Sequence, residues 1–335
     1  MNQAAKILII QLRRIGDVVF TLPIAELLRK NFPDAQIDFL VEEPADQLVR
    51  LNPGLNQTLV YEKLRAWHWI SEIRKRRYDC VLDFHAIGRS LILTYLSGAK
   101  LKVGFDGALS RKFVYNKKIQ TDRNKFIVEQ KMDLLGALGI KDKNWKWNLN
   151  IPEPDLRKVE IPLENRKIAP SDFLIGFAPL HRHFIRAWKR KYFAETAKLL
   201  IEKFKVKILL LGGPGEEEEL YALEKTIQSN AFAMPANSLI EMASLIKKCK
   251  LIVANDNGPQ KIAMALSIPS LTIFGPTNPG SISLNQFPHI SIRDEKLFCI
   301  GCELSQCPYK HECMENVTPA MVLKKIEEIM AKLNV

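Results

Sequence analysis

Apolar runs alternate with amphipathic stretches along the first half of the chain. Residues 6–12, 36–41 and 79–84 are rich in apolar side chains, as is typical of strands buried in a parallel sheet. Residues 18–30 and 67–76 repeat apolar side chains at helical spacing, and Pro23 lies where the start of a helix tolerates proline. This alternation predicts a doubly wound α/β sheet.

The same alternation returns after residue 170. Four prolines among charged residues indicate that 150–170 is a linker. We therefore expect an α/β protein of two Rossmann-like domains, 1–165 and 166–335, whose sheets face a central cleft, because open parallel sheets bind ligands beyond the carboxyl ends of their strands. The second half is predicted to contain strands over 173–177, 207–211, 251–254 and 270–274, and helices over 191–204, from 216 onward, and over 239–248, 260–266 and 319–333.

Composition narrows the class of protein. The 335 residues carry 49 Lys+Arg and 37 Asp+Glu, a net charge of +12, and their ordinary apolar fraction excludes a disordered chain or a fibre. The apolar run 7–10 is too short for a signal-peptide core, and prolines interrupt the longest uncharged stretch, 262–292. We expect a cytoplasmic protein.

Positive charge is concentrated in one segment. Residues 61–125 hold 15 Lys/Arg and 6 Asp/Glu, a net charge of +9. Such a segment is either a solvated helix face or a surface for an acidic partner, which could be a phosphorylated sugar, an anionic lipid or a nucleic acid.

The first strand leads into Arg13-Arg14-Ile15-Gly16-Asp17, a turn before a helix. Gly16 allows close approach of a ligand to the backbone, and a helix start offers N–H groups to an anion. Asp17 is suited either to act as a general base on an attacking hydroxyl or to cap the helix. The turn is not the GxGxxG dinucleotide fingerprint.

Three turns in the second half also follow predicted strands: 213–216, 255–259 and 274–280. The turn at 255–259, with Lys261 just beyond it, suits a diphosphate or is an ordinary Asx-Gly turn. Glu216 either binds ribose hydroxyls or belongs to an acidic helix start that complements the helix dipole. The turn at 274–280 is a second ligand-binding turn or a surface loop.

Two clusters complete the candidate chemistry. Cys299, Cys302, Cys307 and Cys313 indicate a structural zinc, with His311 as a substitute ligand, or else free thiols or conditional disulfides. Cys80 and Cys249 are expected in the core. His85 follows a predicted strand, so it faces the cleft or is structural. A further group is anion-binding by composition, with Trp188 beside it as a packing residue: His181, Arg182, His183, Arg186 and Lys189.

Together these segments resemble the heptosyltransferase family of bacterial glycosyltransferases, including its heptosyltransferase III branch, over nearly the whole chain. The order and spacing of the segments make the match specific. The similar segments are KILIIQLRRIGDVVFTLP, YDCVLDFHAIGRS, RAWKRKYFAETAKLL, GGPGEEEE, ANDNGPQKIAMAL, IFGPTNPG and CIGCELSQCPYKHECM.

The resemblance implies a GT-B fold and inverting transfer of a heptose from ADP-heptose to a hydroxyl of the lipopolysaccharide core, with no cofactor required for catalysis. Asp17 matches the family's general base. An acidic, lipid-linked acceptor would bind the first domain and bring the protein to the inner leaflet as a peripheral protein. The acceptor residues would be Arg13, Arg14, His85 and Arg89, and the donor residues Arg186, Glu216, Asp256, Asn257, Gly258 and Lys261.

The chain departs from the family pattern at three donor positions. Asn257 stands where Ser or Thr is usual, Lys261 where a histidine is usual, and Arg186 where a lysine contacts the diphosphate. Other readings are a related transferase with a different nucleotide sugar and a non-catalytic homologue. A nucleic-acid-binding protein is disfavoured, because the basic segment lacks interleaved stacking aromatics. No nucleic-acid partner is expected.

Overall fold

A computed structural model describes residues 5–333 of the chain, with the side chain of Ser110 excepted. The chain divides into two compact units between Asn150 and Ile151. Each unit contains one six-stranded sheet in which all paired strands are parallel, as the sequence predicts.

The first unit is built on a sheet of order β3-β2-β1-β4-β5-β6. Its central strand β1 pairs with β2 and β4, so that Ile10 lies beside both Leu40 and Asp83. The four residues Ile7 to Ile10 are fully buried, which explains their unbroken apolar pattern. The strands are β1 Lys6–Ile10, β2 Gln36–Val41, β3 Gln57–Val60, β4 Cys80–Asp83, β5 Leu101–Phe105 and β6 Lys117–Ile119.

Helices flank this sheet. The predicted helix 18–30 is two helices, because the chain turns at Phe20 and Thr21, where the Thr21 hydroxyl donates to the carbonyl of Asp17 at 2.7 Å. The helices are α1 Ile15–Val19, α2 Leu22–Asn31, α3 Asp46–Val49, α4 Ala66–Arg76, α5 Arg89–Leu96, α6 Leu109–Val114 and α7 Ile127–Asp133, with 3-10 turns at Lys63–Arg65 and Leu134–Leu138.

The second unit contains a sheet of order β12-β11-β10-β7-β8-β9. Its core includes the indole of Trp188, which confirms the prediction that this tryptophan packs. The strands are β7 Leu174–Ala178, β8 Lys207–Gly212, β9 Ala231–Pro235, β10 Leu251–Asn255, β11 Ser270–Ile273 and β12 His289–Ile292. The helices are α8 Glu153–Lys158, α9 Glu160–Asn165, α10 Arg190–Phe204, α11 Glu217–Ile227, α12 Leu239–Lys248, α13 Gly258–Ala265, α14 Glu312–Glu315 and α15 Pro319–Lys332, with 3-10 turns at Phe184–Arg186 and Pro279–Ser281.

The linker prediction for 150–170 is wrong, and the unit boundary lies 15 residues before the predicted one at 165/166. This segment forms α8 and α9, and Pro154 occupies the start of α8. Both helices belong to the second unit: the Lys248 ammonium lies 2.6 Å from the Glu160 carboxylate, and Arg166 lies 2.7 Å from Glu224. Proline and charge alone did not reveal these tertiary contacts.

Candidate active site

Asp17 lies in the first turn of α1, directly beyond the carboxyl end of β1. Its side chain is half-buried, and Arg14 before the helix takes a left-handed backbone conformation with φ of 66°. The residue at the N-cap position of α1 is Arg14, and Asp17 is the acidic residue of the first turn. Asp17 is therefore not the N-cap residue of α1, and it lies in the first turn beyond the carboxyl end of the strand.

A buried lysine that sequence reasoning missed lies at the same edge. Lys131 of α7 is 3% exposed, and its ammonium donates to Oε1 of Gln11 at 3.0 Å. Burial lowers the pKa of Lys131 to about 8, while the carboxylates of Asp17 and Asp83 act in the opposite sense and favour its charged form. A positive charge is thus held inside the unit beside Asp17.

Lys131 also fixes the state of His85. Since an ammonium can only donate, Gln11 presents its carbonyl oxygen to Lys131 and its amide nitrogen to Nδ1 of His85, 3.2 Å away. Burial, followed by the charges of Arg13, Arg89, Lys131 and Arg14, lowers the pKa of His85 to about 4. His85 is therefore neutral at pH 7, with its proton on Nε2.

The predicted acceptor residues differ in the contacts that their side chains make within the protein. Arg13 and Arg14 are exposed. Arg89 instead pairs with the Glu42 carboxylate at 2.9 Å and lies over the ring of Tyr61 at 5.7 Å. All three contribute to the positive field at His85, which makes this edge of the sheet attractive to an anion.

Hydrogen bonds join the turn after β10 in the second unit to the loop after β7. The amide of Asn255 donates to the carbonyl of Pro179 at 2.7 Å, and its oxygen accepts the Trp188 N–H at 2.9 Å. The amide of Asn257 donates to the carbonyls of Ala178 and Leu180, both at 3.0 Å, while its oxygen caps α13. Both asparagines thus fix the entry to helix α13.

Asp256 and Lys261 are paired with each other. Their charged groups are 2.8 Å apart, and both side chains are less than a tenth exposed. The Lys261 ammonium also donates to the carbonyl of Ile282 at 3.2 Å. The expectation that Lys261 adds a free positive charge to the turn is therefore corrected: its charge is balanced by Asp256.

Arg186 lies near this turn. It ends the 3-10 turn Phe184–Arg186, and its charge is one of the factors that lower the pKa of His181, after the larger effect of burial. Nε2 of His181 lies 2.9 Å from the carbonyl of Asp256. Within residues 5–333 the Arg186 guanidinium makes no hydrogen bond or ion pair, so it is available to an anion.

The other two turns have structural roles. A carboxylate oxygen of Glu216 accepts the Gly213 N–H at 2.7 Å and so closes the turn after β8. Gly275 is in close contact with Met314, so a Cβ there would clash with the Met314 sulphur. Asn278 caps the 3-10 turn Pro279–Ser281. The hydrogen bond to Gly213 uses one carboxylate oxygen of Glu216 and leaves the second to other partners.

Comparison with known proteins identifies the family of the chain. Residues 66–315 match glycosyltransferase family 9 (heptosyltransferase). The chain belongs to this family. Lipopolysaccharide heptosyltransferase 1 of Campylobacter coli is 26% identical over 294 residues, which cover 81% of this chain and 84% of that protein. The crystal structure of a glycosyl transferase family 9 protein from Veillonella parvula DSM 2008 aligns with a TM-score of 0.87 and 21% identity, covering 99% of each chain.

A further solved structure is that of the Escherichia coli heptosyltransferase WaaC with ADP-2-deoxy-2-fluoro heptose. It aligns with a TM-score of 0.74 and 22% identity, covering 96% of this chain and 99% of that one. The likeness to these structures confirms the predicted GT-B fold, and membership of the family confirms that the protein is a glycosyltransferase.

The cysteine segment of this glycosyltransferase holds the loop that carries Arg186. Cys299, Cys302, Cys307, Cys313 and Ile185 line one small cavity. The Phe184 ring contacts the His311 ring with 5.1 Å between centroids, and Lys189 pairs with Glu315. No three His, Cys, Asp or Glu side chains in residues 5–333 are arranged to hold a metal ion, so the thiols as they lie do not form the expected zinc site.

The structure also confirms one minor prediction. Cys80 and Cys249 are buried in strand and helix ends, as expected of core residues. Among the helices that the structure describes, none is both long enough and apolar enough to span a bilayer. Lys131 and Gln11 were missed because only folding brings α7 to the end of β1; the position of Gln11 directly after a strand was the one available signal.

Proposed function

We propose that the protein transfers a heptose, with inversion, from ADP-heptose to a hydroxyl of the lipopolysaccharide core. The names of its family relatives and the ligand in the WaaC structure support this donor and acceptor. The observation that carries the mechanism is the position of Asp17 in the first turn of α1, beyond the end of β1 and near the buried ammonium of Lys131.

In this mechanism the Asp17 carboxylate takes the proton of the acceptor hydroxyl. The acceptor oxygen then forms a bond to the anomeric carbon of the donor, while the bond from that carbon to the diphosphate breaks and ADP leaves. Neutral His85, with a proton on Nε2, donates a hydrogen bond to the acceptor sugar. Lys131 stabilises the Asp17 carboxylate and remains in place through the step.

The donor is proposed to bind the second unit through its diphosphate. Arg186 offers a charged, bidentate donor, and the start of α13 at Gly258 offers backbone N–H and a helix dipole. Asp256, Asn257 and Lys261 act by holding that helix start in position, and the remaining oxygen of Glu216 binds the ribose. Cations and helix dipoles stabilise the leaving diphosphate as its charge grows.

The acceptor is proposed to be an acidic, lipid-linked oligosaccharide bound by Arg13 and Arg14. Arg89 supports that site indirectly, since its guanidinium is already paired with Glu42. Such an acceptor would place the protein at the cytoplasmic side of the inner membrane as a peripheral protein.

The proposed transfer uses no bound cofactor, because Asp17 supplies the base and Arg186 with the α13 start stabilises the leaving group. A structural zinc on the four cysteines is a separate proposal, supported by their shared cavity. It requires the thiols to converge further on binding. One zinc per purified chain, lost in C313S but retained in C80S, would support it; a metal-free wild-type protein would contradict it.

A donor panel tests the function. Wild-type protein is incubated with ADP-heptose and, separately, with UDP-, GDP- and CDP-sugars, in each case with heptose-deficient core acceptor. We expect turnover with ADP-heptose, and its loss in D17N with ADP affinity unchanged. Turnover with a different nucleotide sugar would show that ADP-heptose is not the donor. Full activity of D17N would show that Asp17 is not the base. Donor binding without turnover would indicate a non-catalytic homologue.

A further inference from the structure

Seven large apolar side chains of the first unit are exposed to solvent. Leu64 is fully exposed, Trp67 is 81% exposed and Phe113 is 76% exposed. Together they form what we term the docking face: Leu64, Trp67, Ile87, Ile92, Tyr95, Leu109 and Phe113. Single exposed apolar residues are common, whereas a group of this size on one unit indicates an interaction surface.

The members of the docking face come from segments that follow three parallel strands of one sheet. Leu64 and Trp67 follow β3, Ile87 follows β4, and Leu109 follows β5. Because carboxyl ends of parallel strands lie at one edge of a sheet, these segments share the edge at which β1 leads to Asp17. The docking face therefore borders the proposed acceptor site.

Hydrogen bonds and ion pairs join these segments into one surface. The Arg111 guanidinium of α6 donates to the carbonyl of Ala86, next to Ile87, at 3.1 Å. Lys63, next to Leu64, and Arg89, one turn before Ile92, lie 3.8 Å and 2.9 Å from the same Glu42 carboxylate. The α4, α5 and α6 segments are thus adjacent rather than scattered.

Positive charge surrounds these apolar side chains. The residues 61–125 that contain the whole docking face carry a net charge of +9. The Lys102 ammonium lies over the Tyr95 ring at 5.7 Å, and Arg74 donates to the carbonyl of Leu96 at the end of α5. Exposed aromatic and aliphatic side chains within a basic field fit the interface of an anionic bilayer, where apolar groups enter the headgroup region and Lys or Arg contact lipid phosphates.

We propose that the docking face binds the surface of an anionic lipid bilayer. This inference rests on the proposed function, since it supplies the membrane on which a lipid-linked acceptor would be presented beside Asp17. A second copy of the chain is a poorer partner, because two faces with a net charge of +9 repel each other. A nucleic acid would use the charges but would leave Leu64, Leu109 and Ile92 without an apolar partner.

Vesicle binding of the full chain tests the inference without any turnover. The protein is mixed with vesicles of phosphatidylglycerol and phosphatidylcholine at equal ratio, and with pure phosphatidylcholine vesicles. We expect co-sedimentation with the anionic vesicles alone, together with a blue shift of the Trp67 emission that W67F lacks. The variant L64S/L109S/F113S should bind about tenfold more weakly or less. A matched control, I161S/F298S, removes exposed apolar side chains of the second unit and should bind like wild type.

Each other outcome decides against the docking face. The inference would be overturned by equal binding of L64S/L109S/F113S and wild type, by an absence of binding to anionic vesicles, or by preferential binding of RNA over vesicles. Dimerisation without vesicles that is lost in L64S/L109S/F113S would instead assign the docking face to a second copy of the chain. Transfer to a detergent-solubilised core acceptor, measured in parallel, tests the proposed function separately. The triple variant should retain that transfer, because none of its three residues is in the proposed catalytic or binding machinery.

Discussion

The ammonium of Lys261 and the carboxylate of Asp256 lie 2.8 Å apart, with both side chains nearly buried. Lys261 occupies a position where a histidine is usual in the family, and Asp256 lies in the turn at 255–259 that is proposed to bind the donor. The substitution therefore does not add an unbalanced charge to the diphosphate site. It converts the turn into an internally neutral unit at the start of α13.

We expect K261M to lower the free energy of unfolding by about 3 kcal/mol, because it leaves Asp256 as an unpaired buried charge. The double variant D256N/K261M should recover most of this loss. Urea unfolding of the wild type and both variants measures the effect. K207M, which breaks the more exposed pair with Asp172, is a matched control with an expected loss below about 1 kcal/mol. A K261M loss as small as that of the control would show that the Asp256 pair is not buried in solution.

Activity should decrease as the pH rises through about 8. Lys131 is charged below its pKa of about 8 and neutral above it, so the positive charge that it contributes at the proposed acceptor site is lost with rising pH. The measurement is the pH profile of kcat/KM with ADP-heptose. In K131R the guanidinium remains charged, and the decrease near pH 8 should disappear; in K131M activity should be low at every pH. An unchanged alkaline limb in K131R would assign that limb to another group.

R186A should weaken binding of ADP by about 1.5–3 kcal/mol, the usual contribution of a charged hydrogen bond. R186K should recover part of this affinity, since a lysine retains the charge but not the bidentate geometry. Calorimetric titration with ADP measures both. The exposed neighbour Arg182 provides the control, and R182A should bind ADP like the wild type. Equal affinities of R186A and R182A would remove Arg186 from the diphosphate site.

The free energy of unfolding of the whole chain should decrease as the pH falls from about 6.5 to about 4. Burial lowers the pKa of His289 from 6.5 to about 4, so in this window the unfolded chain binds a proton that the folded chain does not. The expected loss is up to about 3 kcal/mol from pH 7 to pH 4. H289N should show a smaller change over the same window, measured by urea unfolding at several pH values. His85 acts in the same sense, so the dependence should decrease in H289N without vanishing.

Local sequence determined much of the architecture. The apolar run at Ile7 to Ile10 and the glycine- and asparagine-containing turns after β1, β8 and β10 were sufficient to predict two parallel sheets. The prediction succeeded because strands buried on both faces require unbroken apolar stretches, and this requirement does not depend on which strands are neighbours. Shorter or more polar strands were not predicted from the sequence. An example is the edge strand β6, Lys117–Ile119, which contains two lysines.

The state of each candidate site residue was decided by the tertiary structure. The sequence by itself indicated Asp17, His85, Asp256 and Lys261 from their positions after strands. Only folding brings Lys131 to Gln11 over 120 residues, and only folding pairs Lys261 with Asp256. The reason is physical: a side chain's charge, tautomer and availability depend on the groups within a few ångströms, and those groups come from distant parts of the chain.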